Sequence, residues 1–144
     1  MKPAKVNILH IEGNEFDIRL LSDLLNFARE GKYEITTAAT LKGGLAQLAV
    51  NKFDVVLTDL NLDDADGVNT ISRIQEQEPS VPIIVISGQD SEELALQVVQ
   101  KGAQDYLVKG QGDGFLISRS IEYSIERKRN EQGLSYLANY DSLT

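Results

Sequence analysis

Short, β-branched apolar runs alternate five times with longer segments whose apolar residues have helical spacing, and this alternation most restricts the fold. Three of the short runs are almost continuously apolar, as expected for strands buried on both faces of a parallel sheet. The alternation therefore predicts an α/β domain in which helices connect parallel strands. The five predicted strands are Lys5–Ile11, Tyr33–Ala39, Phe53–Asp59, Val81–Ser87 and Gln104–Val108.

The segments between these strands carry the apolar stripes of amphipathic helices, for example Leu41, Leu45 and Leu48. The fourth helix is predicted to begin after Asp90, because Glu93 follows three residues later as in a capping box. Crossovers between parallel strands are right-handed, so helices cover both faces. The predicted architecture is a doubly wound, five-stranded parallel sheet.

The last helix is predicted to run from near Phe115 to about Tyr140. Its ~26 residues would span ~39 Å, which is longer than the sheet requires. Ile117, Ile121 and Ile125 form a stripe facing the core, whereas residues 126–133 contain no apolar side chain. We therefore expect an extended C-terminal helix that overhangs the domain and connects it to a further segment.

A chain of 144 residues is long enough for one domain and an appendage. It contains no cysteine, which excludes disulfides and thiolate metal sites. Its formal net charge of -8 argues against nucleic acid as a partner. Its apolar runs are far shorter than the roughly 20 residues of a membrane span, and no signal peptide is recognisable. A cytoplasmic protein without membrane contact is expected.

Polar side chains follow four of the five predicted strands. Glu12 comes after the first strand, Asp59 ends the third, Ser87 ends the fourth and Lys109 follows the fifth. Parallel strands have their carboxyl ends at one edge, where open α/β sheets bind ligands. Two carboxylates, a hydroxyl and an ammonium at this edge would suit a divalent cation and a phosphoryl group, with an aspartate as acceptor.

These residues lie in four segments that resemble response-regulator receiver domains. The likeness covers about residues 4–127, and it identifies residues 1–127 as a receiver domain. It implies a flavodoxin-like (CheY-like) fold with strand order 2-1-3-4-5. The segments are ILHIEGNE (8–15), FDVVLTDLNLDDADG (53–67), VPIIVISGQD (81–90) and GAQDYLVKG (102–110).

The resemblance also implies site roles. Asp59 would be phosphorylated by a histidine kinase or phosphotransfer protein, Ser87 would donate a hydrogen bond to the phosphoryl group, and Lys109 would be its counter-ion. Tyr106 matches the aromatic switch of the family. The domain would then be a signalling switch rather than an enzyme. Independently of the resemblance, the short apolar patches of the last helix, separated by charged residues, suit a weak coiled-coil seam, so a homodimer through the fourth and fifth helices is expected.

Magnesium is the implied cofactor, bound by Glu12, Asp59 and the backbone carbonyl of Asn61. The family usually has two adjacent acidic residues after the first strand, but here the second is Gly13. One hard ligand and one negative charge are missing, so weaker magnesium binding is expected. Glu12, which is longer than aspartate, or Glu15 could compensate.

The segment 128–144 is predicted to be a linker helix and the start of a C-terminal output domain. Its last eleven residues, LSYLANYDSLT, resemble the beginning of a GGDEF-type diguanylate cyclase domain. That resemblance implies an output that makes cyclic di-GMP.

Other interpretations stay open at this point. Gly13 favours a degenerate receiver that works by protein contacts without phosphorylation. Residues 59–63 also fit the opening of a calcium loop, although its sixth position is Asp64 and its twelfth is Thr70. A flavin carrier would need a hydroxyl-rich phosphate loop after the first strand, and the EGNEF sequence there lacks one. His10, the single histidine, is predicted to be a packed core residue.

Overall fold

The computed structural model describes the backbone of residues 5–141 and the side chains of residues 5–65 and 67–131. The strands are β1 (Val6–Ile11), β2 (Tyr33–Ala38), β3 (Val55–Thr58), β4 (Asn61–Leu62), β5 (Ala65–Asp66), β6 (Ile83–Ser87) and β7 (Asp105–Val108). The helices are α1 (Glu15–Ala28), α2 (Leu41–Val50), α3 (Asn69–Gln77), α4 (Glu92–Gln100) and α5 (Gly114–Asp141).

Five strands form one parallel sheet in the order β2-β1-β3-β6-β7. This is the predicted order 2-1-3-4-5, because β6 and β7 are the fourth and fifth predicted strands. The order reverses between β1 and β3, so the carboxyl ends of these strands flank the crevice where such sheets bind ligands. The predicted fold class is confirmed.

The sheet separates two apolar cores. On one face, residues of α2, α3 and α4 such as Leu48, Ile74 and Val98 pack on alternate strand residues. On the other face, Leu25 of α1 and Ile121 of α5 pack on the intervening strand residues. β1 and β3 contribute to both cores, which explains why their sequences lack a polar alternation.

Two local details differ from the prediction. The two-residue strands β4 and β5 form an antiparallel pair just after β3, where the sequence carries no strand pattern. The cap of α4 is Ser91 rather than Asp90, since the Ser91 side chain accepts a hydrogen bond from the amide of Leu94. A serine hydroxyl three residues before an amide satisfies it as well as a carboxylate does.

Helix α5 is continuous over 28 residues, about 42 Å at 1.5 Å per residue. Ile117 and Ile121 are buried and Ile125 is partly buried, as predicted for the stripe that faces the core. The predicted distal apolar residues lie outside the described side chains (Leu134, Tyr136, Leu137, Tyr140). Within the described part of the chain, no helix is long and apolar enough to cross a membrane.

Replacement of a buried residue of α5 should show how strongly this helix is anchored. Ile121 is fully buried, so Ile121→Ala removes three carbon atoms from the core and should lower the free energy of unfolding by about 2–5 kcal/mol. Tyr123 on the same helix is 62% exposed, and Tyr123→Ala should cost less than about 0.5 kcal/mol. Urea unfolding followed by circular dichroism measures both, and equal losses would contradict the described packing of α5.

Candidate functional site

The sheet edge brings three of the predicted site residues into direct contact. Glu12 follows β1, Asp59 follows β3 and Lys109 follows β7. The ammonium nitrogen Nζ of Lys109 lies 3.0 Å from Oε2 of Glu12 and 2.8 Å from Oδ2 of Asp59. Both carboxylates are buried. The structure therefore brings Glu12, Asp59 and their lysine counter-ion together at the carboxyl ends of three strands.

A third carboxylate, Asp17, reaches the same ammonium group and was not predicted. Its Oδ2 lies 2.8 Å from Lys109 Nζ. Asp17 is in the first turn of α1, where acidic residues are common for reasons of the helix dipole alone. Its sequence position therefore gave no signal, and its role depends on how α1 lies against the sheet edge.

Two adjoining depressions surround these groups. The acidic depression is lined by Glu12, Gly13, Asn14, Asp17, Asp59, Asn61, Leu62, Asp63 and Lys109. The serine depression adds Ser87, the last residue of β6, and Gly88 and Gln89 of the loop that follows. It shares Asp17, Asp59, Asn61 and Lys109 with the acidic depression. All the predicted phosphorylation residues therefore border one continuous, open surface.

Asp59 is held in a fixed orientation by its own loop. Its Oδ1 accepts hydrogen bonds from the backbone amides of Leu60 at 2.8 Å and Asn61 at 3.2 Å. Burial by itself raises the pKa of Asp59, but the hydrogen bonds from Lys109 and the Asn61 amide outweigh it, so the pKa is lowered. Asp59 is therefore an ionised carboxylate at neutral pH.

Glu12 is shifted in the opposite direction. Burial is the largest influence and raises the pKa of Glu12, and the negative charge of Asp59 adds to the rise against the opposing bond from Lys109. Its Oε1 accepts a hydrogen bond from the amide of Asn14. With all groups ionised, three carboxylates face one ammonium group, which leaves a formal charge of -2.

Ser87 and Tyr106 are connected through Gln89. The Ser87 hydroxyl is buried and accepts a hydrogen bond from the Gln89 amide at 3.1 Å. A hydroxyl that accepts one bond still has its own proton to donate. The Tyr106 hydroxyl donates to the Gln89 carbonyl, so the tyrosine is tied to the same loop.

The chemical groups around the acidic depression are of the type that binds magnesium. Carboxylate and carbonyl oxygens are the ligands this cation prefers, and the surplus negative charge around Lys109 favours a divalent cation. Asn61 borders the acidic depression beside Glu12 and Asp59, as the magnesium prediction requires. In the described side chains, however, no three acidic or imidazole groups are already arranged to hold a metal.

The calcium-loop interpretation is wrong. Both carboxylate oxygens of Asp64 accept backbone amides at the start of α2, from Leu41 and Lys42 at 2.8 Å each. These bonds lower the pKa of Asp64. Its carboxylate serves as a cap for α2, and the position that would need glycine in a calcium loop has a structural role instead.

Comparison with known protein families identifies the family to which this fold belongs. The family model described as response regulator receiver domain matches residues 8–120. The chain belongs to the response regulator receiver domain family. This receiver domain is therefore the signalling domain of a two-component response regulator and not an enzyme.

Curated relatives of this receiver domain are longer proteins. It is 31% identical over 106 residues to the transcriptional regulatory protein ZraR of Salmonella typhimurium LT2, a match that covers 74% of this chain and 23% of ZraR. It is 35% identical over 114 residues to the KDP operon transcriptional regulatory protein KdpE of Escherichia coli K12, covering 78% of this chain and 48% of KdpE. The chain thus spans less than half the length of these relatives.

Solved structures show the same fold. A CheY-like receiver domain protein of Methanospirillum hungatei JF-1 has a TM-score of 0.76 and 24% identity, covering 89% of this chain and 99% of that one. NtrX from Brucella abortus, in a complex with ADP, has a TM-score of 0.80 and 23% identity, covering 93% of this chain and 30% of NtrX. At these identities the likeness concerns the fold alone.

His10 lies in β1 beside the site and is a core residue, as predicted. It is 4% exposed, and its Nδ1 has no hydrogen-bond partner among the described residues. Burial, assisted by the nearby positive charge of Lys109, lowers the pKa of His10 from 6.5 to about 4. The folded protein therefore holds His10 neutral, whereas the unfolded chain protonates it below pH 6.5.

This shift predicts acid sensitivity of the fold. Between pH 6.5 and 4 the unfolded state binds more protons at His10 than the folded state, so the free energy of unfolding falls as the pH falls. A shift of this size corresponds to about 3 kcal/mol. His10→Phe should remove that part of the pH dependence, measured by urea unfolding at several pH values between 4 and 7. An unchanged pH profile in His10→Phe would show that the histidine is not held neutral.

Proposed function

We propose that this receiver domain accepts a phosphoryl group on Asp59 from a phosphohistidine of a kinase or phosphotransfer protein. The observation that carries the proposal is the ionised Asp59 carboxylate, bound to Lys109 on a surface that Ser87 also borders. A nucleophilic carboxylate, a counter-ion and a hydroxyl donor are the groups that phosphoryl acceptance requires.

The chemistry uses these groups in a simple order. A carboxylate oxygen of Asp59 bonds to phosphorus while the bond from phosphorus to the histidine nitrogen breaks, and the nitrogen leaves with the electron pair. Lys109 can pair with the negative charge of the incoming phosphoryl group, because its ammonium group is already 2.8 Å from Asp59. The Ser87 hydroxyl turns its proton toward a phosphoryl oxygen. Magnesium held by Glu12, Asp59 and Asn61 would supply further charge neutralisation.

Tyr106 connects this event to the surface. A hydrogen bond from Ser87 to the phosphoryl group would move the loop that contains Gln89, and the Tyr106 hydroxyl is bound to the carbonyl of that residue. Movement of the loop therefore changes the environment of Tyr106 at the side of α4. We assign Tyr106 the role of the switch residue on this connection.

A homodimer through α4 and α5 is the form of output that we propose. Leu96 is 60% exposed and Val99 50% exposed on α4, and Tyr123 is exposed on α5. Both helices contact the edge strand β7, and exposed apolar residues on them are typical of a surface that binds another protein, here a second copy of the domain. Helix α5 crosses the boundary proposed at residue 127 without a break, so it can carry a change at the dimer toward residues 128–144.

A diguanylate cyclase output is a finer proposal that rests on the YDSLT sequence. Its last three residues lie outside the described chain, as do the side chains of Tyr140 and Asp141. The two relatives named above are transcriptional regulators, a different class of output. Cyclic di-GMP synthesis by the full-length protein is the measurement that separates these classes.

The alternative function is a degenerate receiver that acts through protein contacts alone. Gly13 favours it, since the side chain that normally completes the acidic pair is absent. The two functions differ in whether Asp59 is modified at all, which a mass measurement decides.

Incubation with acetyl phosphate and magnesium chloride should add ~80 Da to the intact protein. Asp59→Asn should lose the adduct, because an amide is not a nucleophile for phosphorus. Asp54→Asn is the matched control: Asp54 precedes β3 at the opposite end of the same strand and should be labelled like the wild type. Intact mass spectrometry reads all three proteins, and a wild type that gains no adduct would support the degenerate receiver.

Beryllofluoride, a mimic of the phosphoryl group, should raise the dimer fraction of the wild type in light scattering. Leu96→Glu should prevent this rise, because it places a charge in the proposed interface. Val50 is 76% exposed on α2, away from α4 and α5, and Val50→Glu should dimerise normally. In the same assay, Tyr106→Phe removes the hydrogen bond to Gln89 and should reduce the rise in dimer fraction. A dimer that forms equally in Leu96→Glu would place the interface elsewhere.

A further inference from the structure

The position beside Glu12 has no side chain to offer a cation. Gly13 borders the acidic depression, and a Cβ atom added there would lie 3.2 Å from the backbone carbonyl of Ala39. That contact is tight, so a side chain at residue 13 would require the neighbouring backbone to shift by a few tenths of an ångström. Any second acidic group must come from another part of the chain.

Asp17 brings a further carboxylate to this site from helix α1. Its carboxylate borders both depressions and shares Lys109 with Glu12 and Asp59. Because one ammonium nitrogen contacts all three carboxylates at 3.0 Å or less, the Asp17 oxygen lies within a few ångströms of the other two. The site regains the negative charge that Gly13 does not provide.

The start of α1 holds Asp17 in this place. Asn14 is the N-cap, and its side-chain oxygen accepts the amide of Asp17 at 3.0 Å. The amide of Asn14 donates in turn to Oε1 of Glu12 at 3.1 Å. These two bonds fix the first turn of α1 to Glu12. Asp17 is thus placed by the same acidic residue that it complements.

Two other acidic residues are candidates, and neither fits. Glu15 is exposed and borders a separate depression between α1 and β2, together with Arg19 and Ile35. Asp63 borders the acidic depression but lies in the exposed turn between β4 and β5. Only Asp17 shares Lys109 with Glu12 and Asp59 among the described ion pairs.

We infer that Asp17 supplies the second acidic group of the magnesium site, from helix α1 instead of from residue 13. The inference rests on the proposed function, since it concerns the cation of the phosphorylation site. It replaces the two alternatives left open by the sequence, that the longer Glu12 or Glu15 compensates for Gly13. It also changes the expected consequence of Gly13, because the charge of the site is preserved although the chain segment that provides it differs.

Magnesium chloride titration by isothermal calorimetry tests the inference on the unphosphorylated chain. Loss of one charged ligand should raise the dissociation constant of Asp17→Asn about tenfold. Glu15→Gln and Asp63→Asn each remove the same charge near the site and should change the constant less than about twofold. Gly13→Asp in the Asp17→Asn background should restore part of the affinity, and Gly13→Ala in that background controls for the contact with Ala39. Circular dichroism verifies that each variant is folded.

The possible outcomes separate this inference from the proposed function. A loss of magnesium affinity in Asp17→Asn but not in Glu15→Gln or Asp63→Asn supports the inference, whatever the labelling of Asp59 shows. Equal affinities of Asp17→Asn and Glu15→Gln would overturn it and leave Asp17 as a partner of Lys109 alone. A wild type that binds no magnesium at millimolar concentration would also overturn it, while mass labelling of Asp59 decides the proposed function independently.

Discussion

The contact of one lysine with three carboxylates is the constraint on which the site depends. Glu12 and Asp59 are nearly fully buried, and a buried charge is tolerated only when it is paired and hydrogen-bonded. Lys109 pairs with both, and it can do so only because β1, β3 and β7 end at the same edge of the sheet. The parallel strand order thus brings these charges together, and their pairing lets the strands end in acidic residues.

The apolar cores make this edge rigid. β1 and β3 are packed on both faces, so the backbones that carry Glu12 and Asp59 have little freedom to move. Gln89 lies instead in the loop that follows β6, where its amide donates to the Ser87 hydroxyl and its carbonyl accepts from Tyr106. The site therefore combines a fixed acidic half with a half that can respond to a new charge, which is the division that a switch requires.

The strand pattern made most of this architecture predictable. Periodicity located the five strands, and position at a strand end was enough to select Glu12, Asp59, Ser87 and Lys109. Asp17 could not be found in this way, because its role depends on the direction in which α1 leaves the sheet. The β4–β5 pair and the Ser91 cap were missed for a similar reason. Each depends on a few local hydrogen bonds, and such bonds leave no trace in the pattern of hydrophobic residues.

The hydrogen-bond capacity of Lys109 limits what the site can accept next. An ammonium group has three protons, and Glu12, Asp17 and Asp59 accept one bond each. A phosphoryl oxygen that bonds to Lys109 must therefore replace one of these carboxylates. The displaced carboxylate is then left with an unpaired negative charge. If that carboxylate is Glu12, the unpaired charge is also buried. A cation bound by the same oxygens removes that cost, so binding of the anion and binding of the cation favour each other through the single lysine.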